Sequence, residues 1–171
     1  STYLPARESF ALQWQLGQMP RWWRSIESPV AAVNLESRNW RLDDHCNIDF
    51  ERMLRALVPL QIPTTYLEGY GGLVEKVFAL RWPQRPQYIF TSNAQNFDDV
   101  FKAWAAQKVD TGTPLVIGQH GGGYGISKFV SNEEHEILVS DRFLTWGWNS
   151  DSCPKVLKTF RIKTGSNKKS A

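Results

Sequence analysis

The spacing of apolar residues predicts helices in the first half of the chain. Between residues 49 and 58, apolar side chains recur every three or four positions, at Phe50, Met53, Leu54, Leu57 and Val58. This is the period of a helix with one apolar face, and Pro59 together with Pro63 is expected to end it. A second helix is predicted over 66–80. Residues 1–47 are less regular, with only a short helix expected around residues 10–16.

In the second half of the chain the pattern changes to alternating strands and helices. Short apolar runs at 88–90 and 115–117 predict buried strands, and an amphipathic helix over 96–107 separates them. A strand, a helix and a strand joined by short loops imply parallel strands with a right-handed crossover. Ser131 is expected to cap a further helix, and a third strand is predicted over 142–145. The predicted fold class is α/β with a parallel sheet, preceded by a helical segment.

These patterns divide the chain into three expected regions. Residues 1–47 form an irregular, tryptophan-rich segment, residues 48–150 form the α/β domain, and residues 151–171 form a polar tail. The sequence begins at Ser1 rather than at methionine, so we expect it to be a piece of a longer protein.

Charge and cysteine content exclude several classes of protein. A formal net charge of +3, from 20 basic and 17 acidic residues, is too even to indicate nucleic-acid binding. Cys46 and Cys153 match no metal spacing; we expect two free thiols in a reducing compartment, with one disulfide between them as the alternative. No apolar run reaches the roughly 18 residues of a membrane span, and these residues show no signal-peptide pattern, although the longer protein could carry a targeting segment. A cytoplasmic location is therefore expected.

The most informative segment of the sequence is the run Pro-Leu-Val-Ile-Gly-Gln-His-Gly-Gly-Gly-Tyr-Gly at residues 114–125. A predicted strand ends there at a histidine, and four of the next five residues are glycine. Histidine has an ordinary pKa near ~6.5, so His120 can accept a proton from a hydroxyl nucleophile at neutral pH. Main-chain N–H groups at Gly121, Gly122 and Gly123 can stabilise a phosphate or a developing negative charge. The pattern predicts an active-site loop in which His120 is the general base or contacts a phosphate of the substrate. An ordinary histidine that bonds to a loop carbonyl is the alternative.

Other polar and aromatic residues follow the ends of the predicted parallel strands, where ligands bind in open α/β sheets. The residues that we expect to bind substrate, besides the three glycines, are Asn93, Gln119, Tyr124, His135, Glu136, Trp146 and Trp148. For His135 and Glu136, a role in orienting the loop is the alternative. No metal site is predicted, because His135 has no second ligand at i+4. Glu68 is a candidate second acid–base group, and an ordinary loop carboxylate is the alternative.

Two familiar motifs are incomplete in the glycine-rich segment. Lys128 is not followed by serine or threonine, so this is not a phosphate-binding P-loop. The run His-Gly-Gly-Gly at 120–123 matches the oxyanion-hole motif of esterases, but the chain lacks the Gly-x-Ser-x-Gly turn that such enzymes need. An esterase-type hydrolase therefore stays an alternative, with Ser92 or Ser127 as the nearby candidate nucleophiles.

Several segments resemble a family of transferases of bacterial surface-carbohydrate and O-antigen biosynthesis. The matching segments are Glu-Gly-Tyr at 68–70, Ile-Phe-Thr-Ser-Asn at 89–93, Phe-Lys-Ala-Trp-Ala-Ala at 101–106, Gly-Thr-Pro-Leu at 112–115, Gly-Gln-His-Gly-Gly at 118–122, and Ser-Asp through Trp-Gly-Trp at 140–148. The resemblance implies a glycosyltransferase-B-like architecture, in which residues 48–150 are one Rossmann-like three-layer half. The polar tail would then lead to a missing nucleotide-binding half.

The resemblance also implies a function, which is glycosyl or related group transfer from a nucleotide-activated donor to a cell-surface saccharide. The partners would be a nucleotide sugar, a saccharide acceptor and the missing C-terminal domain. No cofactor would be needed, and the protein would act at the inner face of the membrane. A more distant likeness to teichoic-acid glycerophosphotransferases implies a role as base for His120 alone. In this chain Gly-Gly-Gly-Tyr follows the histidine, whereas that family has Gly-Thr-Pro. The alternative from a different class is a non-catalytic carbohydrate- or partner-binding fragment whose tryptophans form the contact surface.

Overall fold

The computed structural model describes residues 5–15, 26–43, 45 and 48–159. The elements in these ranges are helices α1 (Ala6–Gln15), α2 (Asp49–Gln61), α3 (Tyr70–Ala79), α4 (Ala94–Phe97), α5 (Asp99–Asp110) and α6 (Ser131–Val139), a 3-10 turn (Thr64–Tyr66), and strands β1 (Ile89–Thr91), β2 (Leu115–Gly118), β3 (Arg142–Thr145) and β4 (Val156–Lys158). None of the helices in the described ranges is long and apolar enough to span a bilayer.

The four strands form one parallel sheet, ordered β1-β2-β3-β4 as in the chain. Ile117 of β2 lies opposite Phe143 of β3, and Leu144 of β3 lies opposite Leu157 of β4. Helices α4 and α5 connect β1 to β2, and α6 connects β2 to β3, whereas residues 146–155 connect β3 to β4 without a helix. The structure thus confirms the predicted Rossmann-like α/β class and the parallel sheet.

The described residues form two compact units, one within residues 27–115 and the other from residues 5–15, 26 and 116–159. In the first unit, the buried core combines side chains of α3 and α5, namely Leu73, Val77, Val100, Phe101 and Trp104. In the second unit, the buried apolar side chains come from three strands and the glycine-rich loop, namely Ile117, Tyr124, Phe143 and Val156. The second unit therefore contains the segment that the sequence singles out for chemistry.

Helix α2 continues through Pro59 to Gln61 and ends before Pro63, so the predicted end at residue 58 is wrong. The reason is a side chain far away in the sequence. The guanidinium of Arg38 donates to the carbonyl oxygens of Pro59 at 2.9 Å, Leu60 at 3.1 Å and Ile62 at 2.9 Å. These carbonyls at the helix end have no intrahelical partner, and Arg38 supplies one.

Glu68 balances the charge of Arg38 inside the same unit. Its two carboxylate oxygens accept from Arg38 at 2.6 and 2.8 Å, and the backbone N–H of Asn34 donates to it at 3.0 Å. The two side chains are only 4% and 6% exposed. The hydrogen bonds from Arg38, followed by the one from Asn34, lower the pKa of Glu68 to about 2. Arg38 therefore joins the 26–43 segment to the end of α2 through the carbonyl oxygens and to Glu68, after the 3-10 turn, through the ion pair.

The remaining boundaries differ from the predictions for local reasons. The predicted helix over 96–107 is two helices, because Asp98 interrupts the helix and caps α5 by accepting from the N–H of Phe101 at 2.9 Å. The predicted helix over 66–80 begins only at Tyr70, after the 3-10 turn. Val130, rather than Ser131, occupies the N-cap of α6. Within the predicted tail, Val156 is buried and begins strand β4.

Replacing Glu68 with glutamine should lower the thermal stability at neutral pH, because Arg38 would stay buried without its counter-charge. The pKa of Glu68 is depressed in the folded state, so its contribution is present above about pH 4.5 and is lost as the pH falls toward 2. The difference in unfolding free energy between wild type and Glu68→Gln should therefore shrink over that window, measured by denaturant unfolding at several pH values. The matched control is Glu51→Gln, since the pair of Glu51 with Arg55 is far more exposed and should contribute little. Equal losses in both variants would contradict a structural role for the Arg38–Glu68 pair.

Candidate functional site

The glycine-rich loop begins where strand β2 ends at Gly118, and it leads into helix α6 at Ser131. His120 is the second residue after the strand, and 21% of its side chain is exposed. An imidazole in this position is held by protein on one side while part of its surface stays open to solvent. Such a setting is suited to proton transfer with a bound molecule.

Tyr124 and Glu136 surround the Nδ1 side of the His120 ring. The Tyr124 hydroxyl lies 3.3 Å from Nδ1 and 3.5 Å from Nε2, and the nearest oxygen of Glu136 lies 3.7 Å from Nδ1. The two aromatic rings meet edge to face, with centroids 5.3 Å apart. The Tyr124 hydroxyl also hydrogen-bonds to Glu136. A chain of contacts therefore runs from His120 through Tyr124 to the carboxylate.

Burial, followed by the negative charge of Glu136, raises the pKa of Tyr124 well above its ordinary value of 10.0. The tyrosine therefore stays a neutral hydroxyl at physiological pH, able to donate one hydrogen bond and to accept others. When its proton is directed to the Glu136 carboxylate, its oxygen is left to accept from Nδ1–H of His120. Because the Glu136 carboxylate lies beside Nδ1, its negative charge favours the tautomer with the proton on Nδ1 and a lone pair on Nε2.

Glu136 is completely buried, which is exceptional for a glutamate. It lies on the inward face of α6, one turn before the buried Ser140, and Glu133 lies one turn earlier on the same face. The spacing 133, 136, 140 is that of one helix face, and it is a signal in the sequence that distinguishes Glu136 from the exposed Glu134 and His135. Glu136 was predicted as a site residue together with His135, without this spacing as a reason.

Gln119 joins the loop after β2 to the loop after β3. Its side-chain oxygen accepts from the backbone N–H of Trp146 and from the indole N–H of Trp148, both at 2.9 Å, and its amide nitrogen donates to the carbonyl of Gly121 at 2.8 Å. The residue is only 4% exposed. The side chain of Gln119 thus holds the two loops together, and the expected contact of Gln119 with substrate stays a prediction.

Trp148 packs against the glycine turn rather than presenting an open face there. A Cβ on Gly125 would come within 2.7 Å of the Trp148 ring, and Gly125 also has a φ of +70°. The Trp148 ring also lies near the ring of Phe143, with the two centroids 6.3 Å apart. The N–H of Gly125 donates to Glu133 at 2.8 Å, which fixes the end of the turn to the start of α6. Close packing explains the glycine at position 125.

The earlier glycines have a different environment. A Cβ on Gly121 would meet the Tyr124 ring at 2.9 Å, whereas one on Gly122 would meet nothing within 4 Å. Gly122 and Gly123 are exposed. Within the described ranges, the N–H groups of Gly121, Gly122 and Gly123 donate to no other residue. Three successive free donors beside His120 can receive an anionic group.

The other predicted site residues are placed elsewhere or serve other contacts. Asn93 and Glu68 belong to the 27–115 unit, where Asn93 is exposed before helix α4 and Glu68 pairs with Arg38. Their convergence with His120 therefore stays a prediction. His135 is exposed on α6, and Trp146 is half-buried with its backbone held by Gln119.

Two further expectations concern serine and cysteine residues. Among the described residues, His120 hydrogen-bonds to Tyr124 and to no serine, so nothing in this region supports an esterase nucleophile. In the same part of the chain, no group of three or more histidine, cysteine or acidic side chains is arranged to hold a metal ion. Cys153 is half-buried, whereas Cys46 lies outside the described residues, so the alternative disulfide is not tested.

Replacing Gly125 with alanine should destabilise the second unit, because the left-handed backbone costs about 1–2 kcal/mol in an L-residue and the added methyl group overlaps Trp148. Gly122→Ala is the matched control in the same turn, since its backbone is not left-handed and its surroundings are open. Thermal unfolding should show a clear loss for Gly125→Ala and almost none for Gly122→Ala. Equal melting temperatures for the two variants would contradict the packing described here.

Comparison with known proteins gives the chain a family. A family model described as LIC12162 family transferase matches residues 1–170, which is nearly the whole sequence. No curated protein and no solved structure matches. The family description agrees with the transferase resemblance of the sequence motifs. It specifies no donor, acceptor or pathway. The chain belongs to the LIC12162 family of transferases.

Proposed function

We propose that this transferase moves a glycosyl group from a nucleotide-activated donor to a hydroxyl of a saccharide acceptor, with His120 as general base. The observation that carries the proposal is the contact chain from His120 through Tyr124 to Glu136, set beside a turn with three free N–H donors. A transferase acting on a hydroxyl needs a group that removes a proton and a group that stabilises the departing phosphate. The loop at 118–125 offers both.

In the proposed reaction, Nε2 of His120 takes the proton of the acceptor hydroxyl. The oxygen of that hydroxyl forms a bond to the anomeric carbon of the donor. The bond from that carbon to the nucleotide phosphate breaks, and the phosphate oxygen leaves with the electron pair. The N–H groups of Gly121, Gly122 and Gly123 would donate to the negative charge that develops on the leaving group. The exposure of Gly122 and the empty space around its Cβ position would let a bulky phosphate approach the main chain.

The Tyr124 hydroxyl and the Glu136 carboxylate act behind the base in this scheme. Accepting from Nδ1–H, Tyr124 keeps the lone pair on Nε2, and the negative charge of Glu136 stabilises the imidazolium that forms on proton uptake. Neither group needs to touch substrate, so both are positioning residues. Glu136 was expected to bind substrate, and its complete burial favours the positioning role.

Gln119 has a supporting part in the proposal, and Glu68 has none. Because Gln119 bonds both to Gly121 and to the segment at Trp146, it fixes the spacing of the glycine turn relative to the loop after β3. Glu68 is held by Arg38, and its depressed pKa makes it a poor proton acceptor near neutral pH. The acid–base role is therefore assigned to His120 alone.

The substrate class is tested with a panel of nucleotide sugars. Thermal unfolding of the full-length protein in the presence of each compound should show stabilisation by one nucleotide series, because a ligand that binds only the folded state raises its apparent stability. The stabilising compound then serves as donor in an assay for release of nucleoside diphosphate with saccharide acceptors. Stabilisation by none of the compounds, in a protein that unfolds cooperatively, would contradict the donor class.

Replacing His120 with alanine should lower the transfer rate by about 10²–10⁴-fold, the usual contribution of a general base, while the melting temperature stays close to that of the wild type. His45→Ala is the matched control, since this histidine is 92% exposed and belongs to the other unit. The measurement is the steady-state rate of nucleoside diphosphate release. Wild-type turnover by His120→Ala would refute the base assignment.

Replacing Glu136 with glutamine should lower kcat at least about tenfold with little change in KM, because the base is misoriented while the substrate contacts stay intact. Tyr124→Phe should act in the same way, and the double variant should be little worse than either single one, since both residues serve one chain of contacts. A spectroscopic readout separates this role from general damage. In Glu136→Gln, the pKa of Tyr124 should move down toward 10, because one cause of its elevation has been removed.

Two outcomes would contradict the positioning role of Glu136. One is a raised KM with unchanged kcat, which would indicate direct contact with substrate. The other is an unchanged pKa of Tyr124, which would mean that the carboxylate does not reach this hydroxyl.

A further inference from the structure

A groove of about 410 Å³ in the 27–115 unit is lined mainly by cationic and neutral polar side chains. The residues that line it are Gln84, Arg85, Pro86, Lys108, Thr111 and Thr113. The lining thus has two cationic side chains, two hydroxyls, one amide and no carboxylate. Its volume lies within the range of about 300–1,000 Å³ that is common for small-molecule sites.

The proline-rich segment on one side of the groove is fixed at several points. The indole N–H of Trp104 donates to the carbonyl of Pro83 at 3.3 Å, and the ring of Trp104 meets that of Trp82 edge to face at 5.4 Å. The hydroxyl of Thr113 donates to the carbonyl of Pro86, also at 3.3 Å. Because the backbone is anchored on both sides of residues 84 and 85, this wall of the groove is preformed.

The other wall is the end of helix α5 and the turn that follows it. The carbonyl of Lys108 accepts from the N–H groups of Thr111 and Thr113, and the carbonyl of Val109 accepts from that of Gly112. The last carbonyls of the helix are thus satisfied by the turn, which Gly112 permits with a φ of +93°. The partial negative charge of the helix end is reduced, so it opposes an anion less strongly.

The cations themselves are available to a ligand. Within the described ranges, the guanidinium of Arg85 makes no hydrogen bond or ion pair, and the ammonium of Lys108 makes one neutral hydrogen bond, to Gln84 at 3.3 Å. A guanidinium and an ammonium facing one groove suit a phosphate group. The hydroxyls of Thr111 and Thr113 donate to main-chain carbonyls, so their oxygens are left to accept from a hydroxyl of an attached sugar.

We propose that this groove binds the phosphate group of a small phosphorylated molecule. The site lies before strand β2 in the chain, whereas the His120 loop follows that strand, and it does not depend on the function proposed for His120. Arg85 and Lys108 supply the charge that recognises the phosphate, and the hydroxyl oxygens of Thr111 and Thr113 accept from hydroxyls of the attached group.

The test is a titration followed by amide NMR spectra of the whole chain, at constant ionic strength, with three probes: inorganic phosphate, ribose 5-phosphate and malonate. Both phosphate probes should shift the amide signals of Gly112 and Thr113 in a saturable manner, with ribose 5-phosphate binding more tightly because the groove also contacts its sugar. Malonate should bind at least about fivefold more weakly, because a flat carboxylate fits the two cations less well than a tetrahedral phosphate.

Variants locate the site on these residues. Arg85→Ala should weaken ribose 5-phosphate binding about tenfold, since it removes a charged partner of the phosphate. Arg41→Ala is the matched control, because it removes an exposed arginine of the same unit outside the groove. The amide spectra themselves verify that each variant is folded. Three results would overturn the proposal: no saturable shift, equal weakening by both variants, or malonate binding as tight as phosphate.

Discussion

The structure places a carboxylate with no exposed surface beside the histidine at the end of strand β2. A buried charge is costly unless polar neighbours compensate for it, and Glu136 has the hydroxyl of Tyr124 and the imidazole of His120 as such neighbours. The three groups come from the strand end, the glycine-rich loop and helix α6, which must pack together for the contact to exist. The burial of Glu136 therefore constrains the backbone that carries His120.

The glycine turn depends on a second set of polar contacts within the same unit. Gln119 joins the turn to the loop after β3, and Trp148 closes over Gly125, so the turn is held from both sides. Gly122 and Gly123, between these anchors, stay open to solvent. A rigid frame around an open stretch of main chain is the arrangement expected for a loop that receives a charged ligand, because little ordering is needed on binding.

The sequence predicted the sheet better than the site. Strand periodicity and short loops were enough to predict a parallel α/β unit, and strand β3 lies at 142–145 as predicted. The passage of α2 through Pro59 could not be predicted, because it depends on Arg38, which contacts the helix end only in the folded chain. Strand β4 was assigned to the tail because its three residues give too short a pattern. Polar residues such as Gln119 look like ligand contacts in a sequence, and only coordinates reveal that their hydrogen bonds are used internally.

The most direct test of this account is the tautomer of His120, measured by long-range proton–nitrogen NMR correlation in wild type and in Glu136→Gln at a pH where the ring is neutral. If Tyr124 and Glu136 hold the ring proton on Nδ1, the wild-type spectrum will show the proton on that nitrogen, and the variant will show a mixture of both tautomers. A wild-type ring with its proton on Nε2, or identical spectra for the two proteins, would contradict the claim that the buried carboxylate orients this histidine.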